Sequence, residues 1–331
     1  MIYLQRISLI VTLFLVVLLV VKLFQFSTSI EMEKHDDSHQ KEFTSNYRIF
    51  ALNLPDELDF ANEEVPMQSL DVREKLDREL LINTYWQSQT LLFHKRANRY
   101  FPIIEPILAK NGVPDDFKYL ALIESGLQNV VSPAGATGFW QFMKNTAIEY
   151  GLEVNGEVDE RYHLEKSTEA ACKYLKTAYK KYGSWTMAAA SYNMGMNGLD
   201  RQMKRQKVQN YYDMLLIEET ARYVFRIVAI KEIMTKPRDY GFFFRDKDLY
   251  PPLKTRTVAL NEPVNDFADF AFEHGVNYKI LKILNPWLRD AFLRNPGRKT
   301  YYIQLPAKGF TGFIASETLV FENDSLATDT L

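Results

Sequence analysis

The sequence predicts a mainly helical protein, in which one large all-helical domain is followed by a small β-α-α-β domain. Over residues 71–236, apolar residues recur at spacings of three to five, which is the period of helices that bury one face. The period changes to two in 255–260 and 300–305, as in strands that bury alternate side chains. Two short helical stretches lie between these strands, at about 264–274 and 277–285.

Start and stop signals divide the large domain into separate helices. Glycine ends several of them because it readily adopts the left-handed conformation that follows a helix C-terminus. Ser167 is the predicted N-cap of one helix, and Pro102 is predicted to begin another, since proline is tolerated in the first helical turn. The predicted helices cover residues 71–99, 102–111, 117–125, 140–150, 167–182, 185–193 and 218–235.

The N-terminal segment joins Arg6 to an uncharged apolar run from Ile7 to Val21. Its length lies between the core of a signal peptide and a full membrane span. We predict that residues 7–24 form a signal-anchor in the inner membrane, which places the chain on the periplasmic face of the cell envelope. A cleaved signal peptide is the alternative. The predicted segments are 1–26 for the anchor, 27–70 for a tether and an extended strap, 237–253 for a linker, 254–306 for the small domain and 307–331 for a polar tail.

The composition excludes several classes of function. The net charge of −2 argues against a strongly basic surface for nucleic acid. A single cysteine, Cys172, excludes intrachain disulfides and multi-cysteine metal sites, and it is predicted to lie in the core. The five histidines lack the spacing of metal ligands, and neither a P-loop nor a dinucleotide fingerprint occurs. We therefore predict no metal and no cofactor. The aromatic content of 14% fits either a core or a binding surface.

Glu124 is a polar residue on an otherwise apolar helix face. It shares that face with Phe117 and Leu120, and Ser125 and Gly126 follow it at the predicted helix C-terminus. Burial and the negative end of the helix dipole both disfavour a carboxylate there, so both raise the pKa of Glu124, as a general acid requires. The alternative is a structural glutamate, paired with a lysine or with backbone amides.

Two further segments carry neutral polar groups and aromatic rings. Residues 132–143 are rich in small residues and end in Phe139, Trp140, Gln141 and Met143. A second segment, 191–195, ends another helix with a hydroxyl, an amide and a glycine. An acid, rings that stack on sugars and neutral hydrogen-bonding groups are what an uncharged polysaccharide requires of its binding site.

These motifs, in this order, resemble the catalytic domain of the soluble lytic transglycosylases, a goose-lysozyme-like family, and most closely its membrane-bound murein transglycosylase D type. The resemblance covers about residues 71–236. The matching motifs are Glu124-Ser125, Gly138-Phe139-Trp140-Gln141 with Phe-Trp replacing Leu-Met, Ser191-Tyr192-Asn193 with Ser replacing Ala, and Glu219-Thr220-Ala221-Arg222-Tyr223. It implies a lysozyme-like fold and peptidoglycan glycan strands as the partner.

The resemblance also implies a reaction and roles for the residues. Glu124 would protonate the leaving oxygen between N-acetylmuramic acid and N-acetylglucosamine, then accept the proton of the C6 hydroxyl that closes a 1,6-anhydro ring. No water enters, in contrast to glycosidases that use two carboxylates. Ser125 would position Glu124, and Tyr192 and Tyr223 would orient it and contact the sugar. The other predicted contacts are Gln141 and Asn193 to N-acetyl and hydroxyl groups, with Gly138, Phe139, Trp140 and Met143 beside them, the rings stacking on sugar faces.

Two other functions remain open. If Asp159 or Glu160 reached the cleft, it could activate water, and the protein would be a hydrolase like goose-type lysozyme. The alternative for these residues is a solvated loop with an internal ion pair to Arg161. The protein could also be a non-catalytic scaffold that binds peptidoglycan.

The C-terminal domain resembles a LysM peptidoglycan-binding module. The matching parts are 274–277, Leu284-Asn285-Pro286 and the closing strand to Pro306. Asn261-Glu262-Pro263 replaces the usual Gly-Asp-Thr turn, so glycan binding and a simple docking role both stay open.

Overall fold

The computed structural model describes residues 13, 15–22, 37–38, 41 and 49–309. It divides into two units, the first up to Ala51 and the second from Leu52. In the first unit, residues 13 and 15–22 are helical and exposed. Within the described parts of the chain, no helix has both the length and the apolar character needed to span a bilayer. Most of the predicted anchor and tether, and the predicted tail from residue 310, lie outside the described residues.

The second unit is mostly helical, which confirms the predicted fold class. Its first eight helices share one core, whose fully buried members come from every part of the predicted helical domain. These helices are α1 Leu70–Tyr85, α2 Gln87–Asn111, α3 Phe117–Ser125, α4 Lys144–Glu149, α5 Leu164–Tyr182, α6 Trp185–Met194, α7 Met196–Gln206 and α8 Glu218–Thr235.

The prolines of α2 do not stop that helix. Pro102 and Pro106 both lie inside α2, so the prediction of a helix that begins at Pro102 is wrong. The break falls instead at Trp86, whose φ of −85° and ψ of 54° separate α1 from α2. Packing of the apolar face of α2 outweighs the one backbone hydrogen bond that each proline removes. Gly112, with a φ of 66°, ends the helix as predicted.

In the large domain, two other helices begin several residues from their predicted starts, and one helix has no counterpart in the prediction. The helix predicted from Trp140 begins only at Lys144, because the preceding residues form a tight loop in which Gln141 has a φ of 48°. Helix α5 begins at Leu164, so Ser167 is a buried interior residue and not the N-cap. Helix α7 was not predicted.

The predicted strap forms a short antiparallel hairpin, β1 Asp59–Phe60 and β2 Glu63–Glu64. Three contacts fix it. The amide of Ala61 donates to Asp116 Oδ2 at 2.7 Å, at the start of α3. Lys231 of α8 binds Asp59 and Asp116 at 2.8 and 2.7 Å. The Glu63 carboxylate accepts the first amides of α6 at 2.6 and 2.9 Å. The hairpin thus holds α3, α6 and α8 together.

The C-terminal domain pairs two strands around two helices. Strand β3, Thr255–Leu260, runs antiparallel to β4, Tyr301–Pro306, and helices α9 Phe267–Glu273 and α10 Tyr278–Leu284 lie between them in sequence. Its core includes Val158, which belongs to the helical domain by sequence. Residues 237–253 form two short 3-10 turns and contribute Phe242 to the helical core, so this predicted linker is partly built into the fold.

Candidate active site

Glu124 lies in the last turn of α3, which Gly126 ends with a left-handed φ of 60°. Its side chain is partly buried, and the hydroxyl of Tyr223, a residue of α8, donates to Glu124 Oε1. Tyr223 itself is 1% exposed, so this hydroxyl is held rigidly against the carboxylate. Packing of α3 against α8 therefore brings together two residues that lie 99 positions apart.

Burial raises the pKa of the Glu124 carboxyl above its ordinary value. The Tyr223 hydrogen bond and the positive charge of Arg226 act against burial, while the negative charge of Glu219 adds to it. Burial prevails, so protonated Glu124 persists to higher pH than an exposed glutamic acid would allow. A raised pKa is what a carboxyl requires if it is to give a proton to a substrate and take one back.

Asn193 and Glu219 link the helices that carry Tyr192 and Tyr223. The Asn193 amide donates to Glu219 Oε1 at 3.0 Å and accepts from the Thr220 hydroxyl at 2.7 Å. These bonds tie the C-terminal end of α6 to the first turn of α8. Asn193 is only partly buried and Glu219 is exposed, so both are accessible from solvent.

Tyr192 connects the acid to the loop before α4. Its hydroxyl donates to the carbonyl of Trp140 at 2.8 Å. Burial, and then the nearby charge of Glu124, raise the pKa of Tyr192 well above its usual value, so this phenol stays protonated. Tyr192 therefore supports the loop through a fixed hydrogen bond.

Ser125 and Gln141 both donate hydrogen bonds to backbone carbonyls of this loop. The Ser125 hydroxyl donates to the carbonyl of Phe139 at 2.9 Å, so it anchors the loop and does not contact the Glu124 carboxylate through that bond. The Gln141 amide donates to the carbonyls of Gly138 and Val130 at 2.7 and 3.1 Å. Both side chains thus shape the backbone beside the acid.

Two predicted stacking rings are not available to a sugar. Phe139 is 3% exposed and packs edge-on against Tyr100, with ring centroids 4.9 Å apart. Trp140 is fully buried, and its indole N–H donates to the Thr168 hydroxyl at 2.8 Å. The prediction that these rings stack on sugar faces is wrong, because they anchor the loop in the core. The buried ring of Tyr223 also offers no face, whereas Met143 is 46% exposed.

Gly138 is required for packing within the protein. It has a φ of 81°, and a Cβ at this position would lie 2.0 Å from the carbonyl oxygen of Arg161. The predicted role in sugar binding is thus accompanied by a structural one that admits only glycine.

Asp159 and Glu160 are buried, and both carboxylates accept hydrogen bonds from neighbouring residues. Asp159 accepts from Arg161 Nε and Nη2 at 3.0 and 2.7 Å. Glu160 accepts from the Glu153 amide at 2.9 Å and pairs with Lys166 and Lys299. The predicted internal ion pair is present, but the predicted solvated loop is wrong, since these residues are only 6% and 3% exposed.

Glu219 and Arg226 are the charged neighbours of the acid to which the sequence pattern assigned no role. Both act on Glu124 through their charges. A signal for Glu219 was available, since it precedes Tyr223 by four residues and so lies on the same face of α8. Arg226 donates to the carbonyl of Ile123 at 3.1 Å, a contact between distant elements that no local spacing indicates.

Cys172 is buried, as predicted, and burial raises the pKa of its thiol to about 12. Among residues 49–309 and the few described before them, no group of three His, Cys, Asp or Glu side chains could hold a metal ion.

Each of the two domains matches a family model. Residues 101–215 match the family model described as transglycosylase SLT domain, and residues 256–309 match the soluble lytic transglycosylase C-terminal LysM-like domain. Two relatives named membrane-bound lytic murein transglycosylase D, from Escherichia coli K12 and from Escherichia coli O6:H1, are each 28% identical over 243 residues. That alignment covers 72% of this chain and 52% of each relative, so the chain spans about half the length of these proteins.

A third relative, named putative tributyltin chloride resistance protein, from Alteromonas sp. strain M-1, is 27% identical over 113 residues, which are 34% of this chain and 55% of that protein. Together the matches confirm the resemblance to soluble lytic transglycosylases that the motifs indicated.

Proposed function

We propose that this chain, which carries an SLT transglycosylase domain followed by a LysM-like domain, is a peptidoglycan lytic transglycosylase. It cleaves the β-1,4 bond between N-acetylmuramic acid and N-acetylglucosamine and leaves a 1,6-anhydro end. The observation that carries this proposal is the partly buried Glu124, whose pKa is raised and whose carboxylate is held by Tyr223.

One carboxyl group performs both proton transfers in this mechanism. Protonated Glu124 gives its proton to the glycosidic oxygen as the C1–O bond breaks. The resulting carboxylate then takes the proton of the muramic acid C6 hydroxyl, whose oxygen bonds to C1. Glu124 ends protonated and ready for another cycle. The neutral Tyr223 hydroxyl stabilises the carboxylate between the two transfers without taking a proton.

The neutral groups around Glu124 suit an uncharged sugar. Asn193 and Met143 are accessible and would contact the N-acetyl groups and sugar rings. The remaining motif residues would not contact the sugar directly. Ser125, Gln141 and the buried Phe139 and Trp140 hold the loop backbone in place. Carbonyls and amides of that loop would then replace the stacking rings as the sugar contacts.

Hydrolysis is the competing reaction. A hydrolase needs a carboxylate that activates water. Asp159 and Glu160 are buried in ion pairs and cannot hold a water for attack. Glu219 is the exposed carboxylate next to Glu124, so it is the one to test. Mass spectrometry of the products from purified sacculi decides the question, because transglycosylation yields anhydro-muramic ends and hydrolysis yields reducing ends. Reducing ends alone would contradict the proposal.

A non-catalytic scaffold predicts a different result. If the protein only bound the cell wall, it would leave a murein suspension turbid, and Glu124→Gln would match the natural sequence. The proposal expects clearing by the natural sequence and none by the variant.

We also propose that the LysM-like domain contacts glycan in the cell envelope. Its exposed rings include Tyr302 at 59% and Phe272 at 71%. Retention of the whole chain on insoluble peptidoglycan tests this, with Glu124→Gln as the background so that the ligand stays intact. Loss of retention in Tyr302→Ala or Phe272→Ala supports binding. Unchanged retention in both would indicate a docking domain.

A further inference from the structure

We infer that Arg161 is a positioning residue for the loop 135–142 beside the acid, and that the LysM-like domain holds Arg161 in place. This role rests on the proposed function for its kinetic consequences. It makes the C-terminal domain a structural support of the catalytic site, in addition to any part it plays in binding glycan.

Arg161 binds both ends of the loop at once. Its Nη1 donates to the carbonyl of Gly135 at 3.1 Å and to the carbonyl of Phe142 at 3.2 Å. Its own backbone carbonyl lies against Gly138, where no Cβ would fit. Both ends of the loop and its middle are therefore in contact with one residue, Arg161.

The same loop is bonded to the catalytic helices on its other side. Phe139 accepts from Ser125, the residue after Glu124, and Trp140 accepts from Tyr192. A displacement of Arg161 is thus transmitted to the groups that surround the carboxylate. The distance is short, since one loop residue separates the Arg161 contact at Gly138 from the Tyr192 contact at Trp140.

The LysM-like domain fixes the other side of Arg161. Asp159, which holds the guanidinium through Nε and Nη2, donates its amide to the carbonyl of Trp287 at 2.9 Å. The adjacent Val158 pairs with Leu288 and is buried in the core of the LysM-like domain, 1% exposed. Because both Val158 and Asp159 are fixed by that domain, the guanidinium has one orientation relative to the loop.

Loss of this support has a chemical consequence at Glu124. Water that enters around a loosened loop would solvate the carboxylate and reduce the burial that raises its pKa. The charged and titratable groups that face Glu124 are Tyr223, Arg226, Glu219 and Tyr192, and none of them belongs to the loop. A change in loop position can therefore be separated from a change in those groups.

Arg161→Lys tests the inference in the full chain. A lysine keeps the charge opposite Asp159, but one ammonium cannot reach Asp159 and both loop carbonyls together. Arg294→Lys is the matched control, since Arg294 is an exposed residue of the same domain interface that pairs with Glu157 and bonds no loop atom. Asp159→Asn is a second variant that weakens the hold on Arg161 and leaves Arg161 itself unchanged.

For Arg161→Lys we expect kcat on sacculi to fall about tenfold to a hundredfold, as small misplacements in an active site do, with a smaller change in KM. The basic limb of the pH profile of kcat should move to lower pH. Backbone amides of 136–142 should exchange faster with deuterium. Asp159→Asn should move each readout in the same direction, and Arg294→Lys should leave all of them unchanged.

Two results would overturn the inference. One is a lower melting temperature for Arg161→Lys with an unchanged pH profile and unchanged kcat, which is the behaviour of a residue that only stabilises the fold. The other is unchanged exchange over 136–142. That second readout needs no turnover, so it decides the role of Arg161 even if the natural sequence releases no anhydro product, a result that would contradict the proposed function alone.

Discussion

Glu124 and Glu160 are both removed from water, yet their pKa values are shifted in opposite directions. Glu160 is 3% exposed, and its pKa is lowered. Burial acts to raise it, but the Glu153 amide, Lys166 and Lys299 together prevail. Glu124 receives the hydroxyl of Tyr223 and the positive charge of Arg226, but burial prevails and its pKa is raised. Charged partners that outweigh burial keep Glu160 ionised, whereas at Glu124 burial outweighs its partners.

This difference also separates the functions of the two regions. The Glu160 carboxylate pairs with Lys166 and Lys299, so it stays ionised and links the two domains. A carboxyl with a single neutral donor can exchange a proton with a substrate. Perturbed carboxyls occur in both settings, so the direction of the pKa shift and its cause must be considered together.

Glu124→Gln tests proton transfer by Glu124 and has the largest expected effect. Glutamine has the same shape and still accepts from Tyr223, but it cannot give a proton, so turnover on sacculi should fall about 10²–10⁴-fold. Release of anhydro-muropeptides measures this. The melting temperature should not drop, because a partly buried group that disfavours charge is replaced by a neutral one. Full activity in this variant would refute the site.

Tyr223→Phe removes the hydroxyl that favours the charged form of Glu124. The pKa of Glu124 should therefore rise further, and the basic limb of the kcat profile should move to higher pH. Turnover at neutral pH should fall about tenfold, since the intermediate carboxylate loses a hydrogen bond. A pH series of product release gives both values. A limb that moved to lower pH would show that Tyr223 acts in another way.

Glu160→Gln tests whether Glu160 stabilises the fold. The folded pKa of Glu160 lies below its unfolded value, so ionised Glu160 stabilises the fold fully above about pH 4.5, and this stability is lost as the pH falls through the folded pKa. At pH 7 the variant should lose about 2 kcal/mol of unfolding free energy. The difference from the natural sequence should close in acid.

Urea unfolding across this pH range measures the effect, and Glu64→Gln, a change at an exposed residue, is the control. Activity per folded molecule should be retained. If the Glu160 variant were fully stable at pH 7 but inactive, Glu160 would belong to the catalytic machinery, and the comparison with Glu124 would fail.

Glu219→Gln is expected to have the smallest effect and the opposite sign to Tyr223→Phe. Removal of the negative charge of Glu219 lowers the pKa of Glu124, so the basic limb should move to lower pH. The effect should weaken with added salt, because Glu219 is exposed. Anhydro products should persist. Loss of reducing-end products in this variant alone would identify Glu219 as the base of a hydrolase.

The location of the acid was predictable because its signals are local. Phe117 and Leu120 place Glu124 on the buried face, and Gly126 marks the end of its helix, as the structure confirms. Helix α8 also matches its predicted bounds, since an apolar period runs between acidic residues and the proline at 237. Strand β3 matches for a similar reason, as its alternation is unbroken.

The orientation of Phe139 and Trp140 was not predictable from the same kind of reasoning. Aromatic rings after a run of small residues suit a sugar-binding surface and a loop anchor equally well. The partners that decide between the two, Tyr100 and Thr168, lie on α2 and α5 and come from distant sequence. Asp159 and Glu160 were misplaced for a similar reason, because Trp287 and Lys299 of the distant LysM-like domain bond to them.

The hairpin of residues 59–64 has a consequence for where the helical domain begins. It contacts the first turn of α3, the first turn of α6 and the second half of α8, the ends remote from Glu124, Asn193 and Tyr223. A fragment cut at residue 70 would keep all eight helices. It would also leave two amides of α6 without the Glu63 carboxylate, and Lys231 would keep Asp116 but lose Asp59. A fragment that is to keep these contacts therefore has to begin before Asp59.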